Sequence, residues 1–565
     1  MPMTTPSLLA ALLALSTAFT AFGQGLEWVV PITGTDRAEG YSITADEQGN
    51  VYSIGSFEGT QDFDPGPDEW SFTALGNNDI YATKMDPEGN LLWAYQCGSP
   101  STATEWGRGI AVAADGSVYI TGAFNGLCDF DPGPGVVEVG GGSGGTGFLV
   151  KLNADGSLAW VKRLGVGDVC RGHWVDVDDE GNVYCTGFAN DEADFYFGTD
   201  VVTLEGNGNW AYVYKLDPTG TTGWVRKIGG DSGLGLEVDP TGNVNIIGFL
   251  DGTSDADPGP DVLNLTSNGD QDVIITKLTN TGDLIWARSF GGPGEEWGLG
   301  INADAEGNVF ATGHYSDTVD FDPGPGVHEL TATTVVDMFV MKLNSDGSFA
   351  WAHGYGVPTT SPGASYDNGY DVACDAAGNV YACGTFTGTI DFDPGPGVQE
   401  LSAFHQGDIY LLKYAGSGEL LSATSFGNTG YDAARSVHVN AAGDVIHLTG
   451  AFSNAVDFDP GDGEHILTAT TSGDAFVLKL GPGSGTGIPE QAYSPIAIWP
   501  NPGTGVLNVT LGAGVHLIRL FDASGREVLA VRTEGPQAVI DGGSLTSGPY
   551  TLCVDGRHAT RWLKL

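Results

Sequence analysis

Apolar and polar residues alternate in short runs along most of this chain, and the runs recur at a regular spacing. In one run Leu158, Trp160 and Leu164 share a face, and Leu284, Trp286 and Phe290 repeat the pattern. Alternation with a period of two is typical of β-strands, whose successive side chains point to opposite faces. The tryptophans that mark these runs are 62 to 67 residues apart and are Trp28, Trp93, Trp160, Trp224, Trp286 and Trp351.

Two other markers keep the same spacing and define a repeat. One is the segment "GNVYSIGSF" (49–57) and its relatives, such as "GNVYACGTF" (378–386), and the other is a lysine in runs such as "FLVKLN". Each marker occurs seven times, and each repeat holds four strand-like runs joined by turns such as "ADGS". Asp and Gly in those turns favour hairpins. We therefore predict an all-β fold, a seven-bladed β-propeller over residues 24–482.

The two ends of the repeat region predict how the ring closes. The chain enters with a lone strand, "LEWVVPIT" (26–33), and the seventh repeat stops after its third strand, "DAFVLKL" (474–480). We expect the N-terminal strand to complete the last blade, because that pairing removes an exposed sheet edge.

The repeats also resemble a known class. The G-N-V-Y-x-x-G segments, the K-L-x-x-x-G turns and the tryptophan strands after them are similar to the SBBP repeats of bacterial seven-bladed propellers, over about residues 25–482. This resemblance implies a fold but no single activity.

Both ends of the chain indicate export. Residues 1–23 have the apolar run "SLLAALLALSTAFTAF" and small residues before Gln24, which is typical of a signal peptide. A Gly- and Pro-rich linker at 483–494 precedes seven short strand-like runs in 495–565, which suggest a small Ig-like β-sandwich. We find no later stretch apolar enough to span a bilayer.

The tail resembles the type A C-terminal sorting domain of the type IX (Por) secretion system. The motifs that carry the resemblance are "WPNPGTGVLNV" (499–509), "LFDASGREVL" (520–529) and "SGPYTLCVDG" (547–556) with the terminal "TRWLKL". It implies handling by the type IX secretion machinery and a secreted or outer-surface location.

The charge and the cysteine content limit the classes of partner and metal ion that the protein is expected to bind. The net charge is −49, from 22 basic and 71 acidic residues, and such a field repels nucleic acids and anionic membranes. The seven cysteines have no zinc spacing, although Cys374 and Cys383 flank one hairpin turn and leave a disulfide open. We expect a monomer.

An acidic turn, "DFDPGPG" (129–135), recurs in shorter or equal forms six times in all. Its aspartates fit two interpretations: caps for a turn that proline leaves open, or oxygen ligands of Ca²⁺, the one cofactor that the sequence suggests. The phenylalanine between them is expected to point inward. The aspartates are Asp62, Asp64, Asp129, Asp131, Asp255, Asp257, Asp320, Asp322, Asp391, Asp393, Asp457 and Asp459.

A second acidic set precedes the innermost strand of five repeats, where it could ring the mouth of the central channel. We predict that these acids and nearby aromatic residues bind a cation, a sugar or a cationic peptide; alternatively, the acids cap strand starts and the aromatic rings fill between blades. The candidates are Glu105, Asp231, Glu296, Asp367 and Asp432, with Trp106, Trp174, Trp297, Tyr366 and Tyr431.

Functionally, the sequence favours a binder over an enzyme, since it contains no G-x-S-x-G, H-E-x-x-H or phosphate-loop motif. The first hypothesis is a secreted or cell-surface binding or adhesion module for a glycan or a cation. The alternatives are an extracellular polysaccharide hydrolase or lyase that uses carboxylates on the acidic face, and a passive surface-layer protein.

Overall fold

The computed structural model describes residues 24–482, except for short gaps, together with parts of the tail. The gaps are 67–68, 101, 103, 143, 166–168, 358–366, 404–405 and 462, and the tail segments are 498–499, 506–510, 515–522, 527–534, 537–554 and 557–564. The chain divides into two compact units, Met1–Gly483 and Ser484–Leu565. The predicted signal peptide and linker lie outside the described residues.

Every regular element in the described part of the chain is a β-strand, as expected. In the described residues, the main strands of the first unit form successive antiparallel groups of four, which we number sheets 1 to 7. A parallel pair at Thr146 and Cys170 joins sheets 2 and 3, and Gln24–Gly34 in sheet 7 also pairs with Thr60–Asp62. Sheet 1 consists of Ala38–Ala45, Val51–Phe57, Asp79–Met85 and Leu91–Cys97, and sheet 2 of Trp106–Val112, Val118–Phe124, Thr146–Leu152 and Leu158–Leu164. Sheet 3 consists of Cys170–Val177, Val183–Phe197, Asp200–Leu216 and Gly223–Lys227, and sheet 4 of Ser232–Val238, Val244–Asp255, Asn264–Leu278 and Leu284–Phe290. Sheet 5 consists of Trp297–Ala303, Val309–Tyr315, Asp337–Leu343 and Phe349–Tyr355, and sheet 6 of Asn368–Cys374, Val380–Phe386, Asp408–Tyr414 and Leu420–Phe426. Sheet 7 consists of Ala433–Val439, Ile446–Phe452 and Asp474–Pro482, together with the N-terminal strand Gln24–Gly34.

The sheets are arranged radially, as in a β-propeller. The first strand of each sheet lies against the first strand of the next, and that of sheet 7 lies against that of sheet 1. The first strands therefore surround a central channel.

The N-terminal strand Gln24–Gly34 is the fourth strand of sheet 7. It pairs antiparallel with Asp474–Pro482, with Val30 opposite Val477 and Ile32 opposite Ala475. Its side chains Val29, Val30 and Ile32 are buried. The predicted pairing of the first strand with the last repeat is thus confirmed.

The repeated Trp and Lys side chains donate hydrogen bonds to one carbonyl oxygen of the neighbouring sheet, a contact that we call the latch. In sheet 1, Trp93 Nε1 and Lys84 Nζ both donate to the Ala154 carbonyl in the last turn of sheet 2, at 3.2 and 3.4 Å. The same latch joins sheet 7 to sheet 1, where Trp28 Nε1 and Lys479 Nζ both donate to the Pro87 carbonyl at 2.9 Å. Two residues 451 positions apart in the chain therefore share one acceptor.

The predicted Asp–Gly hairpins form as expected at the opposite ends of the strands from the acidic turns. In sheet 1, Asp46 Oδ1 accepts the backbone N–H groups of Gln48 and Asn50 at 3.0 and 2.8 Å. Gly49 has a φ of 83°, a left-handed conformation that glycine adopts without a Cβ clash.

The acidic turns form hairpins that project beyond the second and third strands. In sheets 3 and 4 the projecting hairpins are continuous with the long second and third strands. In the other sheets they are separate pairs: Thr60–Asp62 with Ser71–Thr73, Leu127–Asp129 with Glu138–Gly140, Thr318–Asp320 with Glu329–Thr331, Thr389–Asp391 with Glu400–Ser402, and Ala455–Asp457 with Ile466–Thr468. The phenylalanines Phe63, Phe130, Phe321, Phe392 and Phe458 are buried, as expected.

Cys374 and Cys383 are both free thiols, so the disulfide that the sequence left open does not form. Cys374 Sγ instead lies 3.0 Å from the Ala303 carbonyl of the neighbouring sheet.

The C-terminal unit contains two antiparallel sheets with a shared core. One sheet holds Ile498–Trp499, Val506–Thr510 and Gln537–Asp541, and the other holds Glu527–Glu534, Val515–Asp522, Gly548–Val554 and Arg557–Lys564. Leu507 and Ile540 from the first sheet pack with Leu520 and Leu552 from the second. Within the described residues, no helix is long and apolar enough to cross a membrane.

Candidate functional site

A β-bulge in each first strand turns one side chain away from the strand pairing. In sheet 1 the register passes from Gly40 directly to Ser42, and Tyr41 has no partner across the pair. A bulge of this kind redirects a side chain, here into the channel. The seven bulged residues are Tyr41, Arg108, His173, Leu234, Leu299, Tyr370 and Arg435.

These seven residues, which we call the bulge ring, line one cavity of about 590 Å³ at the mouth of the channel. The volume lies within the range of about 300–1,000 Å³ that small-molecule sites occupy. Ten more residues complete the wall: Arg171, Trp174, Phe188, Asn209, Asp231, Ser232, Phe249, Trp297, His314 and Asn368.

Three arginines give the cavity a basic character in a strongly acidic protein. The Arg108 guanidinium carbon lies 4.5 Å from the centre of the Tyr41 ring, and that of Arg435 lies 4.3 Å from the Tyr370 ring. Arg171 lies 4.7 Å from the Trp106 ring. Among the residues that the structure describes, none of these three guanidiniums makes an ion pair with a carboxylate.

Burial and mutual repulsion shape the titration of this site. Burial, and then the charge of Arg108, lowers the pKa of His173 to about 3, so this ring residue is neutral at physiological pH. Burial also lowers the pKa of Arg108. Burial would lower the pKa of Arg435 as well, but the neighbouring Tyr370 and Tyr431 raise it above its usual value. The cavity thus holds fixed positive charge in a partly desolvated setting.

The opposite wall is aromatic and apolar. Trp297 stacks on Phe249 with ring centres 5.0 Å apart and on His314 at 5.6 Å. Its Nε1 donates to the Gln271 side chain at 2.6 Å, which fixes the plane of the indole. Flat, fixed aromatic faces of this kind suit the apolar faces of sugar rings or other planar groups.

Four of the five acids predicted to ring the mouth are enclosed and do not line the cavity. Glu105, Glu296, Asp367 and Asp432 are fully buried, and each accepts at least one local hydrogen bond. Asp432, for example, accepts the backbone N–H groups of Ser453 and Asn428 at 2.7 and 3.1 Å. They cap loops between sheets, which is the alternative that the sequence left open.

Asp231 is the exception among the predicted acids. It is half-buried, lines the cavity and accepts the Asp251 N–H at 2.7 Å. The residues that face the channel come three positions later in each repeat, because the bulge, rather than strict alternation, decides which side chain points inward.

Burial raises the pKa of the four enclosed acids. The pKa of Glu105, Glu296 and Asp367 rises to about 7, and that of Asp432 to about 6, with desolvation as the main cause in each. Such groups are shielded from a ligand in the cavity, so they are poor candidates for binding a cation there or for acid–base catalysis.

The predicted aromatic residues are closer to the site than the acids. Trp174 and Trp297 line the cavity. Trp106 stacks between Arg108 and Arg171, and the Tyr431 hydroxyl lies 3.1 Å from that of Tyr370. Tyr366 lies outside the described residues. Aligning the repeats on the residue before each bulge, Gly107 in sheet 2 and Ala434 in sheet 7, would have found Arg108 and Arg435 as the next residues, whereas Arg171 lies before its glycine.

Deeper in the channel, a second cavity of about 230 Å³ contains buried carboxylates that join neighbouring first strands. Asp176 Oδ2 accepts the Val238 N–H at 2.8 Å, and Asp371 Oδ2 accepts the Val437 N–H at 3.0 Å. Burial raises the pKa of Asp176 to about 6 and that of Asp371 to about 7.

The acidic turns are held by their own aspartates. In the copy at 129–135, Asp129 Oδ1 accepts the N–H groups of Asp131 and Val137 at 3.1 and 2.8 Å, and Asp131 Oδ1 accepts the Gly133 N–H at 2.8 Å. The other five copies repeat these bonds: Asp62 with Asp64, Asp255 with Asp257, Asp320 with Asp322, Asp391 with Asp393, and Asp457 with Asp459. In the part of the chain that the structure describes, no three His, Cys, Asp or Glu residues are grouped to hold a metal. The hydrogen bonds of the six copies are those that the capping interpretation requires.

We expect Asp129→Ala to destabilise the protein by about 1–2 kcal/mol, because two backbone donors lose their acceptor. Asp129→Asn is the matched control: its amide oxygen can accept the same bonds, and its melting temperature should stay close to that of the wild type. Melting is followed with and without Ca²⁺. If Ca²⁺ raises the melting temperature of the wild type and Asn is as damaging as Ala, the aspartates are metal ligands instead.

The comparisons with known proteins bear first on the tail. Residues 497–565 match the family model described as a secretion system C-terminal sorting domain. The protein is exported by type IX secretion to the outer cell surface. The motifs noted in the sequence at 499–509, 520–529 and 547–565 all lie within the matched region.

Three matches at low identity extend over most of the chain. An uncharacterised WD repeat-containing protein of Acanthamoeba polyphaga mimivirus is 22% identical over 76% of this chain, and the match spans 36% of that protein, so the chain covers about a third of its length. Sqt1 of Chaetomium thermophilum is 10% identical, with a TM-score of 0.34, over 81% of this chain and 99% of that one. PorZ, an essential bacterial surface component of the type IX secretion system of Porphyromonas gingivalis, is 10% identical, with a TM-score of 0.18, over 95% and 100%.

Proposed function

We propose that this protein is a cell-surface binding module whose propeller takes a ligand, a saccharide in the first instance, into the cavity at the mouth of its channel. The observation that carries the proposal is the bulge ring. Seven separate strands each place one side chain, from Tyr41 to Arg435, around a single space of about 590 Å³. Fixed aromatic faces beside charged groups favour saccharide recognition, and adhesion to a glycan surface follows from display outside the cell.

The proposal includes the finer architecture. Residues 24–482 form a seven-bladed propeller of SBBP type, closed by the N-terminal strand, after a signal peptide at 1–23. Residues 483–494 are a linker and 495–565 an Ig-like β-sandwich. The shared acceptor of Trp28 and Lys479 supports the closure, and the seven bulges support the blade count.

The alternatives have less support. A polysaccharide hydrolase or lyase needs accessible carboxylates, whereas Glu105, Glu296, Asp367 and Asp432 are enclosed. A cation is disfavoured by three arginines in the cavity. A passive surface-layer protein has no need of a cavity with ordered aromatic and basic walls.

A glycan-array screen of the mature chain tests the proposal. We expect the wild type to bind members of the array and Leu299→Trp to lose that binding, because the larger ring fills the cavity beside Trp297. Leu92→Trp is the matched control, since Leu92 is exposed on an outer strand and lies outside the cavity. Equal binding by all three proteins would show that the cavity is not the binding site.

A further inference from the structure

The basic and the apolar residues of the bulge ring lie on different sides of the channel. Arg435, Tyr41 and Arg108 belong to the consecutive sheets 7, 1 and 2. Leu234 and Leu299 come from sheets 4 and 5, on the far side of the ring, beside the Phe249–Trp297 stack. One side of the cavity is therefore basic and the other apolar, which suits a ligand with two unlike ends.

The basic side lacks the carboxylates that the rest of the protein offers in excess. Elsewhere a buried cation is matched, as when Lys277 Nζ lies 2.8 Å from Asp239. Here the Glu39 carboxylate interacts electrostatically with Arg435. Its oxygens accept hydrogen bonds from Arg37 and from the Tyr41 hydroxyl. Among the described residues, the buried Nε atoms of Arg171 and Arg435 have no hydrogen-bond partner.

Holding like charges in a partly desolvated cavity costs free energy, and a bound anion would offset that cost. Guanidinium groups present paired N–H donors in a plane, which match the two oxygens of a carboxylate, sulfate or phosphate group. In a chain with a net charge of −49, a neutral ligand would gain nothing from keeping three arginines in this position.

We propose that the ligand is an acidic saccharide, whose carboxylate, sulfate or phosphate group binds between Arg108 and Arg435 while a sugar ring packs against Leu299 and Trp297. The inference rests on the proposed function and deepens it, because it names the charge and the orientation of the ligand. Arg171, stacked on Trp106, reinforces the positive field and holds the wall of the site.

Isothermal titration calorimetry with the full mature chain tests the inference. The probes are a uronate trisaccharide, its neutral methyl ester, and a sulfated and a phosphorylated trisaccharide. We expect at least one anionic probe to bind, about tenfold or more tighter than the neutral ester. Its affinity should weaken as NaCl is raised, because salt screens the attraction. The three anions distinguish the possible oxyanion groups.

Arg108→Gln and Arg435→Gln should each weaken binding of that anion by about tenfold or more. Arg226→Gln is the matched control, since Arg226 lies on an outer strand stacked on Trp224, and its affinity should match the wild type. If one variant fails to fold, the other variant and the salt dependence of the wild type still decide the question.

The two proposals fail in different ways. If the neutral ester binds as tightly as the uronate, and Leu299→Trp abolishes both, the cavity is a binding site but the anionic inference is wrong. If no probe binds and the glycan array is also blank, the proposed function itself is overturned.

Discussion

A chain that lacks residues 25–34 should lose its cooperative fold or melt far below the full protein. These residues supply the fourth strand of sheet 7, and burial of Val29, Val30 and Ile32 contributes on the order of 6 kcal/mol together. That is comparable with the whole stability of many proteins, about 5–15 kcal/mol. The deletion also exposes the edge of Asp474–Pro482 to pairing with other chains.

Thermal melting and size-exclusion chromatography measure this effect. Trp28→Ala is the control that removes one latch but keeps the strand, and it should cost only part of the loss. A truncated protein that melts with the full chain and stays monomeric would show that the N-terminal strand does not hold the ring closed.

Asp239→Asn should be among the most damaging single substitutions in the propeller, at about 3 kcal/mol or more. Lys277 and Asp239 form an ion pair at 2.8 Å with side-chain exposures of only 3% and 0%. Desolvation would raise the pKa of Asp239, but Lys277 and the turn donors hold it below its usual value. Asparagine keeps the turn bonds from Thr241 and Asn243 but leaves the lysine charge buried without a counter-charge.

Asp304→Asn is the matched control for that experiment. Asp304 caps the same turn in the next sheet, and its partner Lys342 lies 3.4 Å away with a side-chain exposure of 13%. Solvent can partly stabilise the charge of Lys342, so Asp304→Asn should lower the free energy of unfolding by only about 1 kcal/mol or less. Urea unfolding midpoints of both variants compare the two pairs, and equal losses would mean that the turn, not the buried charge, is responsible.

Much of the propeller could be predicted because residues with the same structural role recur at the same position in each repeat. The Trp marker recurs six times and the Lys marker seven times, and both make contacts with the next sheet, while the Asp–Gly turns make local contacts. The unpaired first strand and the incomplete last repeat likewise predicted the pairing of Gln24–Gly34 with Asp474–Pro482. The sorting domain was found from motifs at the chain end.

The site was predicted less well, for a specific reason. Their position just before the innermost strands suggested that Glu105, Glu296, Asp367 and Asp432 lie near the mouth, but it could not show that they would be buried. A one-residue bulge in each first strand shifts the inward position to residues such as Arg108 and Arg435. The acidic turns were ambiguous for a similar reason, since a carboxylate that caps a turn and one that binds a metal look alike in sequence.

The sequence by itself determined the β-strand repeat, its Trp and Lys markers, the closing strand and the export route, because these depend on periodicity and on motifs. Only the tertiary structure decided which charges meet at the axis. Seven strands that are far apart in the chain bring Arg435, Tyr41 and Arg108 together there. The bulges that aim these side chains break the periodicity from which the rest was inferred, which is why a strongly acidic chain has a basic cavity at its centre.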